Sequence, residues 1–397
     1  MRFPMEQEYE YLLELMGCSL TGRPPRPRRD TDWQKLMDLA DIHSVSGILA
    51  YANSQHRLCT DPELAGALRR NLLATLSVFA RRAECFSRFS RRLREAGITH
   101  ILMKGAVLRD YSPVPELRTF NDFDIVIRPE DRERCHALML EAGYTPAVDW
   151  GPVYSYHREQ VLYEIHTDIM EVDVSDRADY RGYFAGMWQH TVAREEHCLE
   201  FTPEYHFLYL LTHIAKHISG SGAGARMYLD LGAFILHFGG RVDWAWIEGE
   251  LKKIKLWQFA RVAFTAVERW FGIASPLSFE AVPDDVMAEF LAYTMEAGTF
   301  GHFQREDAMA NLKKNGEPGF LSRWKLLLER TFPAAETIRA RYTYLQKMPW
   351  LLPVAWIHRL IITRGGFGRH AHEAQVILNT DAEQISRLSR LMRDIGL

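Results

Sequence analysis

The chain has 397 residues, a formal net charge of −3, and a composition of 47% hydrophobic and 25% charged residues. This balance is typical of a globular protein with two or three structural units, and it excludes a protein that attracts polyanions through a large positive total charge. The five cysteines are odd in number and far apart, and no C-x-x-C pair occurs, which argues against a disulfide framework and a thiolate zinc site. We therefore predict a protein of the reducing cytoplasm.

We expect neither a signal peptide nor a membrane span. Residues 1–12 include glutamates and lack the apolar run that a signal peptide needs. The apolar stretch Pro349–Thr363 is interrupted by His358 and Arg359, whereas a membrane-spanning helix needs about 20 apolar residues. We interpret this stretch as a buried or docking helix.

The first 95 residues have the apolar spacing of helices. Asp32 directly precedes Trp33 and is a predicted N-cap, and Gly97 is a predicted C-cap. The stretch Gly22–Arg29 is rich in proline and arginine and is therefore a predicted loop. Helices are predicted over residues 5–17, 32–52 and 62–95, the last as one helix or two.

The pattern changes at Ile98, where short apolar runs and alternation replace helical spacing. Phe123 and Ile125 alternate with two aspartates, and this period of two is typical of a strand. The elements predicted here are a strand at 98–104, one or two helical turns at 106–111, a strand at 122–127, a helix at 131–142, and a hairpin of 154–157 and 161–166. Helices are predicted again at 205–218, 227–237 and 244–271, and over most of 276–397.

These elements predict an α+β fold in which a small mixed sheet is flanked by N-terminal and C-terminal helical domains. The stretch Ser219–Gly224, rich in glycine and serine, is predicted to be a loop, either a flexible gate beside the substrate or an ordinary connection between helices. The predicted divisions are an N-terminal helical region at 1–95, an α/β core at 96–200, a helical substrate-side domain at 201–275 and a C-terminal helical region at 276–397.

Asp122 and Asp124 are the centre of the predicted site. Alternate residues of a strand face the same side, so these two carboxylates should project together. Adjacent carboxylates repel each other unless a cation lies between them, and their hard oxygen ligands suit Mg²⁺ or Mn²⁺, which also bind substrate phosphates. A pair of such metals could activate an attacking hydroxyl and stabilise the leaving oxygen. An isolated D-x-D is more often a solvated strand end.

Three neighbouring features favour the metal site over that alternative. Gly105, after the strand that ends at Lys104, lets the backbone approach a phosphate, and Arg118 could fork onto phosphate oxygens. Glu164 lies between two apolar strand residues and could complete the metal cage, while Asp173, between two valines, is the alternative for this role. The first two features also have plain structural readings, a glycine that ends a strand and a surface arginine.

In the order K-G, R-x-x-x-D-x-D and E-I-H, the chain resembles the nucleotidyltransferase superfamily of DNA polymerase β type. It is more closely similar to the bacterial nucleotidyltransferases of the NTP_transf_5 type, whose members continue with H-x-x-x-H and D-W. The resemblance covers residues 30–270. The motifs of this chain are Leu102–Gly105, Arg118, Asp122 and Asp124, Glu164–His166, His213–His217 and Asp243-Trp244.

The resemblance implies transfer of a nucleoside monophosphate from ATP or another NTP to a hydroxyl of an unidentified acceptor (a small molecule, a protein or RNA), with release of pyrophosphate. It implies Mg²⁺ or Mn²⁺ held by Asp122, Asp124 and Glu164, with Glu164 also accepting the hydroxyl proton. Many superfamily members have Gly-Gly or Gly-Ser where this chain has Gly105-Ala106, so backbone N–H groups would replace a serine hydroxyl at the phosphate. The implied nucleotide-binding residues are Lys104, Gly105, Arg118 and His166.

The helix that contains His213 and His217 is the predicted substrate side of the cleft. These histidines share a polar stripe with His206, and they are one turn apart, a spacing that could also bind a metal. We expect them and Lys216 to face the cleft or to pair with acids such as Asp230, with ordinary structural contacts as the alternative. The predicted substrate-side residues are His213, Lys216, His217, Arg226 and Asp230.

Two other functions stay open on the sequence. One is a nucleotide-binding or interaction protein that retains the fold with weak or no catalysis, and the other is a phosphohydrolase that uses the histidine stripe with a transition metal. The segment Phe320–His370 contains nine lysines and arginines interleaved with aromatic residues, and it could contact an anionic partner such as RNA. Aromatics in the core and bases on a solvated face are the preferred interpretation.

Overall fold

The structure, a computed structural model, describes residues 7–120, 122–148, 151–159, 161–170, 174–220, 222–298, 328, 331–338, 342–362 and 382–397. Within these ranges a seven-stranded mixed sheet has helices before and after it along the chain. The predicted α+β fold with flanking helical regions is therefore confirmed.

The N-terminal helices are α1 (Gln7–Thr21), α2 (Trp33–Ile42), α3 (Ser46–His56) and α4 (Pro62–Glu95). Asp32 caps α2, because its carboxylate accepts the backbone N–H of Lys35 at 3.0 Å. The continuous helix predicted over 32–52 is wrong, since the backbone turns at Ser44, whose φ is 55°. Buried apolar residues continue on both sides of this turn, so the spacing alone could not reveal it.

The strands are β1 (His100–Leu102), β2 (Asp122–Ile127), β3 (Thr145–Val148), β4 (Val153–Arg158), β5 (Val161–His166), β6 (Thr191–Glu195) and β7 (Cys198–Phe201), in the spatial order β3-β4-β5-β2-β1-β7-β6. Between them lie α5 (Gly105–Leu108), α6 (Arg132–Glu141) and α7 (Tyr180–Phe184). Strand β2 pairs with β5 in parallel and with β1 antiparallel. The sequence did not predict β3, β6 and β7. The two edge strands, β3 and β6, are mostly exposed and lack apolar alternation.

The two faces of the sheet pack against different cores. Phe123 and Ile125 of β2 are buried with Phe86 from the second half of α4, which is a single helix. The opposite face, which includes Val126, joins a larger core built with the N-terminal and C-terminal helices. Because side chains alternate along a strand, Asp122 lies on the Val126 side, between the sheet and the helical body.

The helices after the sheet are α8 (Pro203–Gly220), α9 (Ala225–Phe238), α10 (Trp244–Lys253), α11 (Trp257–Phe271), α12 (Asp284–Ala297), α13 (Ala335–Ile338), α14 (Leu352–Ile362) and α15 (Ala382–Ile395). The single helix predicted over 244–271 is wrong, because Lys255 has a φ of 59° and separates α10 from α11. The loop predicted at 219–224 is shorter than expected, since α8 continues to Gly220.

The basic and aromatic segment 320–370 lies partly outside the described residues. Within the described part, Tyr342 is buried, and the indole of Trp356 donates a hydrogen bond to a main-chain carbonyl at 2.8 Å. Trp350, however, is 70% exposed. The stretch that we expected to be a buried or docking helix is therefore only partly buried. None of the described helices combines the length and apolar character that crossing a bilayer requires.

Three buried histidines are expected to make the fold sensitive to acid. His43, His100 and His206 are at most 2% exposed, and burial lowers the pKa of each from 6.5 to about 4. The unfolded chain therefore takes up protons as the pH falls below 6.5, whereas the folded chain does so only near pH 4. The contribution of each histidine to the free energy of unfolding is therefore fully present above pH 6.5. It is lost as the pH falls from 6.5 to 4, by up to about 3 kcal/mol for each histidine.

Urea unfolding at a series of pH values measures this loss. We expect the free energy of unfolding to fall steeply between pH 6.5 and 4.5, with a smaller slope in His43→Gln. The exposed His56 supplies the control, since His56→Gln should leave the slope unchanged. A free energy of unfolding that stays constant across this range would contradict the expectation.

Candidate active site

A cleft of about 310 Å³ lies between the polar face of the sheet and helices α8 and α9. It brings together every residue that the sequence predicted for the site, although these residues come from distant parts of the chain. They are Lys104, Gly105, Arg118, Asp122, Asp124, Glu164, His166, His213, Lys216, His217, Arg226 and Asp230. Their roles stay predictions. Asp173, the alternative third carboxylate, lies outside the described residues.

A larger cavity of about 610 Å³ lies elsewhere, between α1, the loop that follows it, and helices α11 and α12. None of the predicted site residues lines it. Two of its charged side chains already have partners, because Arg23 donates to two main-chain carbonyls and Glu14 accepts from Arg28 at 3.1 Å. Size alone is therefore a poor guide to the active site, and the chemistry points to the smaller cleft.

Asp124 is the buried centre of the cleft, with 2% of its surface exposed. The parallel pairing of β2 with β5 sets Asp124 opposite Glu164, and His166 follows on the same face. Lys104 Nζ donates to Asp124 Oδ1 at 2.6 Å, and His166 Nε2 donates to the same oxygen at 3.0 Å. Burial alone would raise the pKa of Asp124, but the Lys104 charge and the His166 hydrogen bond lower it well below its usual range. Asp124 is therefore ionised, with one oxygen held by two donors.

Lys104 reaches Asp124 through an unusual backbone conformation. Its φ of 45° and ψ of −121° lie in a region that residues other than glycine rarely adopt, at a cost of about 1–3 kcal/mol. Its carbonyl accepts the N–H groups of Val107 and Leu108, which holds the turn into α5. Burial would lower the pKa of Lys104, but Asp124 and then Tyr209 raise it above its usual range. The lysine expected at a phosphate is thus bound to an aspartate.

The residues present fit a divalent cation. Burial, and then the charges of Asp124 and Glu164, raise the pKa of Asp122 despite Lys104, so a cation between these carboxylates would relieve their repulsion. Ligand atoms of Asp124, Glu164 and His166 lie within 4.8 Å of one another. Among the described residues, these three side chains form a group that could hold a metal ion. This group has His166 in place of the predicted Asp122. Carboxylate oxygens suit Mg²⁺ or Mn²⁺, whereas the imidazole is a ligand that Zn²⁺, Cu²⁺, iron and Ni²⁺ favour.

Gly105 is required by close packing behind the cleft. A Cβ atom there would lie 2.8 Å from Arg118 Nη1 and 2.9 Å from Phe120 Cβ. We expect Gly105→Ala to lower the free energy of unfolding by about 1–3 kcal/mol, the usual cost of overpacking. Gly66 in α4 is the matched control, because a Cβ there meets only Arg70 Nη1 at 3.6 Å, so Gly66→Ala should stabilise by up to about 1 kcal/mol. Urea unfolding that gave both variants the same change would contradict this.

Arg118 binds an acid of the chain itself. Its Nε and Nη2 donate to the two carboxylate oxygens of Asp230, at 3.1 Å and 2.8 Å. We expected Asp230 to pair with the substrate-side histidines and Arg118 to bind a phosphate. Instead, Asp230 and Arg118 bind each other. Arg226 lies beside this pair and donates from Nη1 to the Thr119 carbonyl at 2.9 Å. Two arginines therefore flank the segment that leads into β2.

Helix α8 forms the opposite wall of the cleft. The Nε2 atoms of His213 and His217 are 3.1 Å apart, so one imidazole donates a hydrogen bond to the other. Burial, followed by the charge of Lys104, lowers the pKa of both, to about 4 for His217, and both are therefore neutral near pH 7. His206 lies apart in the core, where its Nδ1 is 3.2 Å from the Tyr111 hydroxyl. The three-histidine stripe of the sequence is thus split between core and cleft.

Tyr209 is a cleft residue that sequence reasoning missed. It lies one turn before His213 on α8, and the two ring centroids are 5.8 Å apart. The spacing of four residues from His213 was the available signal. It was easy to overlook because Tyr209 is 1% exposed and lies within a run of buried apolar residues.

Comparison with protein families agrees with this geometry. A family model, NTP_transf_5, described as "uncharacterised nucleotidyltransferase", matches residues 29–272, which is more than half of the chain and contains the whole cleft. No curated protein and no solved structure matches the chain. The resemblance predicted over residues 30–270 is therefore confirmed. The chain belongs to the NTP_transf_5 family of nucleotidyltransferases.

Proposed function

We propose that the protein transfers a nucleoside monophosphate from an NTP to a hydroxyl-bearing acceptor and releases pyrophosphate. The observation that carries this proposal is the meeting of Asp122, Asp124 and Glu164 with several cationic side chains in one cleft. Membership of a nucleotidyltransferase family supports the reaction class. The proposal leaves open whether the acceptor is a small molecule, a protein or RNA.

In this reaction the acceptor hydroxyl oxygen attacks the α-phosphorus, and the bond from that phosphorus to the oxygen bridging to the β-phosphate breaks. Pyrophosphate leaves with the electron pair of that bond, and the Glu164 carboxylate would accept the hydroxyl proton. A divalent cation such as Mg²⁺ or Mn²⁺, held by Asp122, Asp124 and Glu164, would supply charge neutralisation and an activated hydroxyl when bound. Lys104 and His166 keep Asp124 ionised and fix the position of its carboxylate.

The distribution of charge supports a polyphosphate ligand that carries a metal. Among the cleft residues, the Lys104 ammonium is paired with the Asp124 carboxylate, and the Arg118 guanidinium is paired with the Asp230 carboxylate. The acids Asp122 and Glu164 lie on the strands, whereas the cations Lys216 and Arg226 lie on α8 and α9. The cleft therefore has an acidic end that suits a cation and a basic end that suits phosphate oxygens.

The same proposal gives each part of the chain a task. Residues 96–200 would form the nucleotidyltransferase core, and residues 201–275, which include α8 and α9, would form the substrate side. Residues 1–95 and 276–397 would be the flanking helical regions. The second half of α4 already supports the core, because its buried phenylalanines pack beneath β2.

Transfer is tested by incubating the protein with each of the four NTPs, labelled at the α-phosphate, together with Mg²⁺ and a cell extract as the source of acceptor. We expect label to become attached to an acceptor with release of an equal amount of pyrophosphate, and both to stop when EDTA is added. Folded protein that releases no pyrophosphate from any NTP, with Mg²⁺ or Mn²⁺, would contradict the proposal.

A second candidate is a nucleotide-binding protein that retains the fold with weak or no catalysis. The contact that favours it is the 2.6 Å bond from Lys104 to Asp124, because the lysine occupies an oxygen that a metal could use. The absence of a serine hydroxyl at Gly105-Ala106 favours it as well. Thermal stabilisation by NTP and Mg²⁺ without any product would support this candidate, and product formation would exclude it.

A further inference from the structure

Arg226 is a cleft residue whose hydrogen-bonding capacity is largely unused. It stands at the beginning of α9 and lines the cleft. Its Nη1 donates to the Thr119 carbonyl at 2.9 Å, while its Nε is buried and has no hydrogen-bond partner within the described part of the chain. A guanidinium has five N–H donors, and buried donors without partners are costly. This side chain is therefore arranged for a ligand that the chain itself does not supply.

The acid that acts most strongly on the charge of Arg226 is Asp230, and it is already bound. Arg118 takes both oxygens of Asp230, so the group of Arg118, Asp230 and Arg226 contains two positive charges and one negative charge. Burial and the charge of Arg118 lower the pKa of Arg226 to about 10, and the carboxylates of Asp230 and Asp122 only partly oppose them. The surplus positive charge of this group suits an anion from outside the chain.

We propose that Arg226 binds the terminal phosphates of the nucleotide and that Asp230 holds Arg118 away from this role. This inference rests on the proposed function for the identity of the ligand. It transfers the phosphate-binding role that the sequence suggested for Arg118 to a different arginine. The reason is geometric, because the Nε and Nη2 groups of Arg118 already donate hydrogen bonds to Asp230.

A polyphosphate tail suits this position better than other anionic groups of the reactants. Its several oxygens can satisfy the remaining guanidinium donors in a forked arrangement. Asp122 acts on the charge of Arg226, so the acidic and basic ends of the cleft lie within electrostatic reach of each other. The arrangement fits a ligand in which the phosphates that bind the cation are followed by terminal phosphates. A nucleoside monophosphate fits less well, because it has no terminal phosphates to offer Arg226.

Calorimetric titration with inorganic tripolyphosphate, without metal ions, tests the assignment. We expect binding to wild-type protein that is about 10–100-fold weaker in Arg226→Gln, because a charged hydrogen-bonded contact is lost. Arg226→Lys keeps the charge without the fork and should show a smaller loss, and it also serves if the glutamine variant does not fold. The exposed Arg177 gives the control, since Arg177→Gln should bind as the wild type does.

Asp230→Asn tests the role of Asp230 with a readout that a merely structural role would not give. Removing the negative charge frees Arg118 and increases the positive charge around Arg226. We therefore expect tripolyphosphate to bind several-fold more tightly to Asp230→Asn, whereas damage to the fold would weaken binding. Unchanged or weaker binding by a folded Asp230→Asn variant would overturn this role of Asp230.

The outcomes separate this inference from the proposed function. Unchanged tripolyphosphate affinity in both Arg226 variants, or no binding to wild-type protein, would overturn the inference even if the protein transfers nucleotides. If tripolyphosphate binding depends on Arg226 but no NTP is turned over, the transferase proposal is contradicted and the anion site is still supported.

Discussion

Asp122→Asn is expected to abolish nucleotidyl transfer without destabilising the fold. Loss of a metal-binding carboxylate removes several kcal/mol of transition-state stabilisation, which corresponds to a rate lower by about a thousandfold. Burial, followed by the charge of Asp124, raises the pKa of Asp122 in the folded chain. Folding therefore disfavours the ionised form of Asp122 above its unfolded-state pKa. An uncharged asparagine should leave the free energy of unfolding unchanged or raise it.

Pyrophosphate release and urea unfolding, measured on the same preparation, test this combination. The exposed Asp176 supplies the control, because Asp176→Asn removes one negative charge outside the cleft and should change neither quantity. An Asp122→Asn variant that keeps its activity would remove Asp122 from the metal site. A variant that loses stability would contradict the electrostatic explanation.

Asp124→Asn is expected to have the opposite effect on stability. It leaves the Lys104 ammonium without its charged partner, and breaking a buried ion pair costs about 3–5 kcal/mol. We expect a loss of about 3 kcal/mol, at the low end of that range, because the Lys104 side chain is 20% exposed. The pKa of Asp124 is lowered in the folded chain from 3.8. Its contribution to stability is therefore present above about pH 4 and is lost as the pH falls below that value.

A double-mutant cycle measures this pair directly. Lys104→Met keeps the length of the side chain, and Lys104→Met combined with Asp124→Asn removes both charges. The double variant should be more stable than the sum of the two single losses indicates, by about 1–3 kcal/mol in urea unfolding. Purely additive losses would show that the 2.6 Å contact contributes nothing to the fold.

The centre of the site could be predicted because its signals are local. The alternation of Phe123 and Ile125 with the aspartates fixes which side chains of β2 face the core, and this depends only on strand geometry. Glu164 lies on a strand that the sequence predicted, and this strand pairs in parallel with β2. The family match then supports the whole set of motifs from residue 29 to residue 272.

The partners of the charged residues could not be predicted because they depend on long-range contacts. Arg118 and Asp230 are 112 positions apart, and no local pattern reports that their side chains meet. Lys104, which pairs with Asp124, has a positive φ, and the sequence gives no reason to expect this backbone conformation at a lysine. The break at Lys255 was missed for a related reason, since apolar spacing continues through the turn.

The most direct test of the active site is a titration of the protein with Mn²⁺, in which electron paramagnetic resonance reports the free ion. We expect saturable binding that becomes tighter when a non-hydrolysable NTP analogue is present, and that weakens by about tenfold or more in Asp122→Asn and Glu164→Gln. Wild-type protein that binds no Mn²⁺ with the analogue, or variants that bind it as well as the wild type, would contradict the assignment of these carboxylates to a metal.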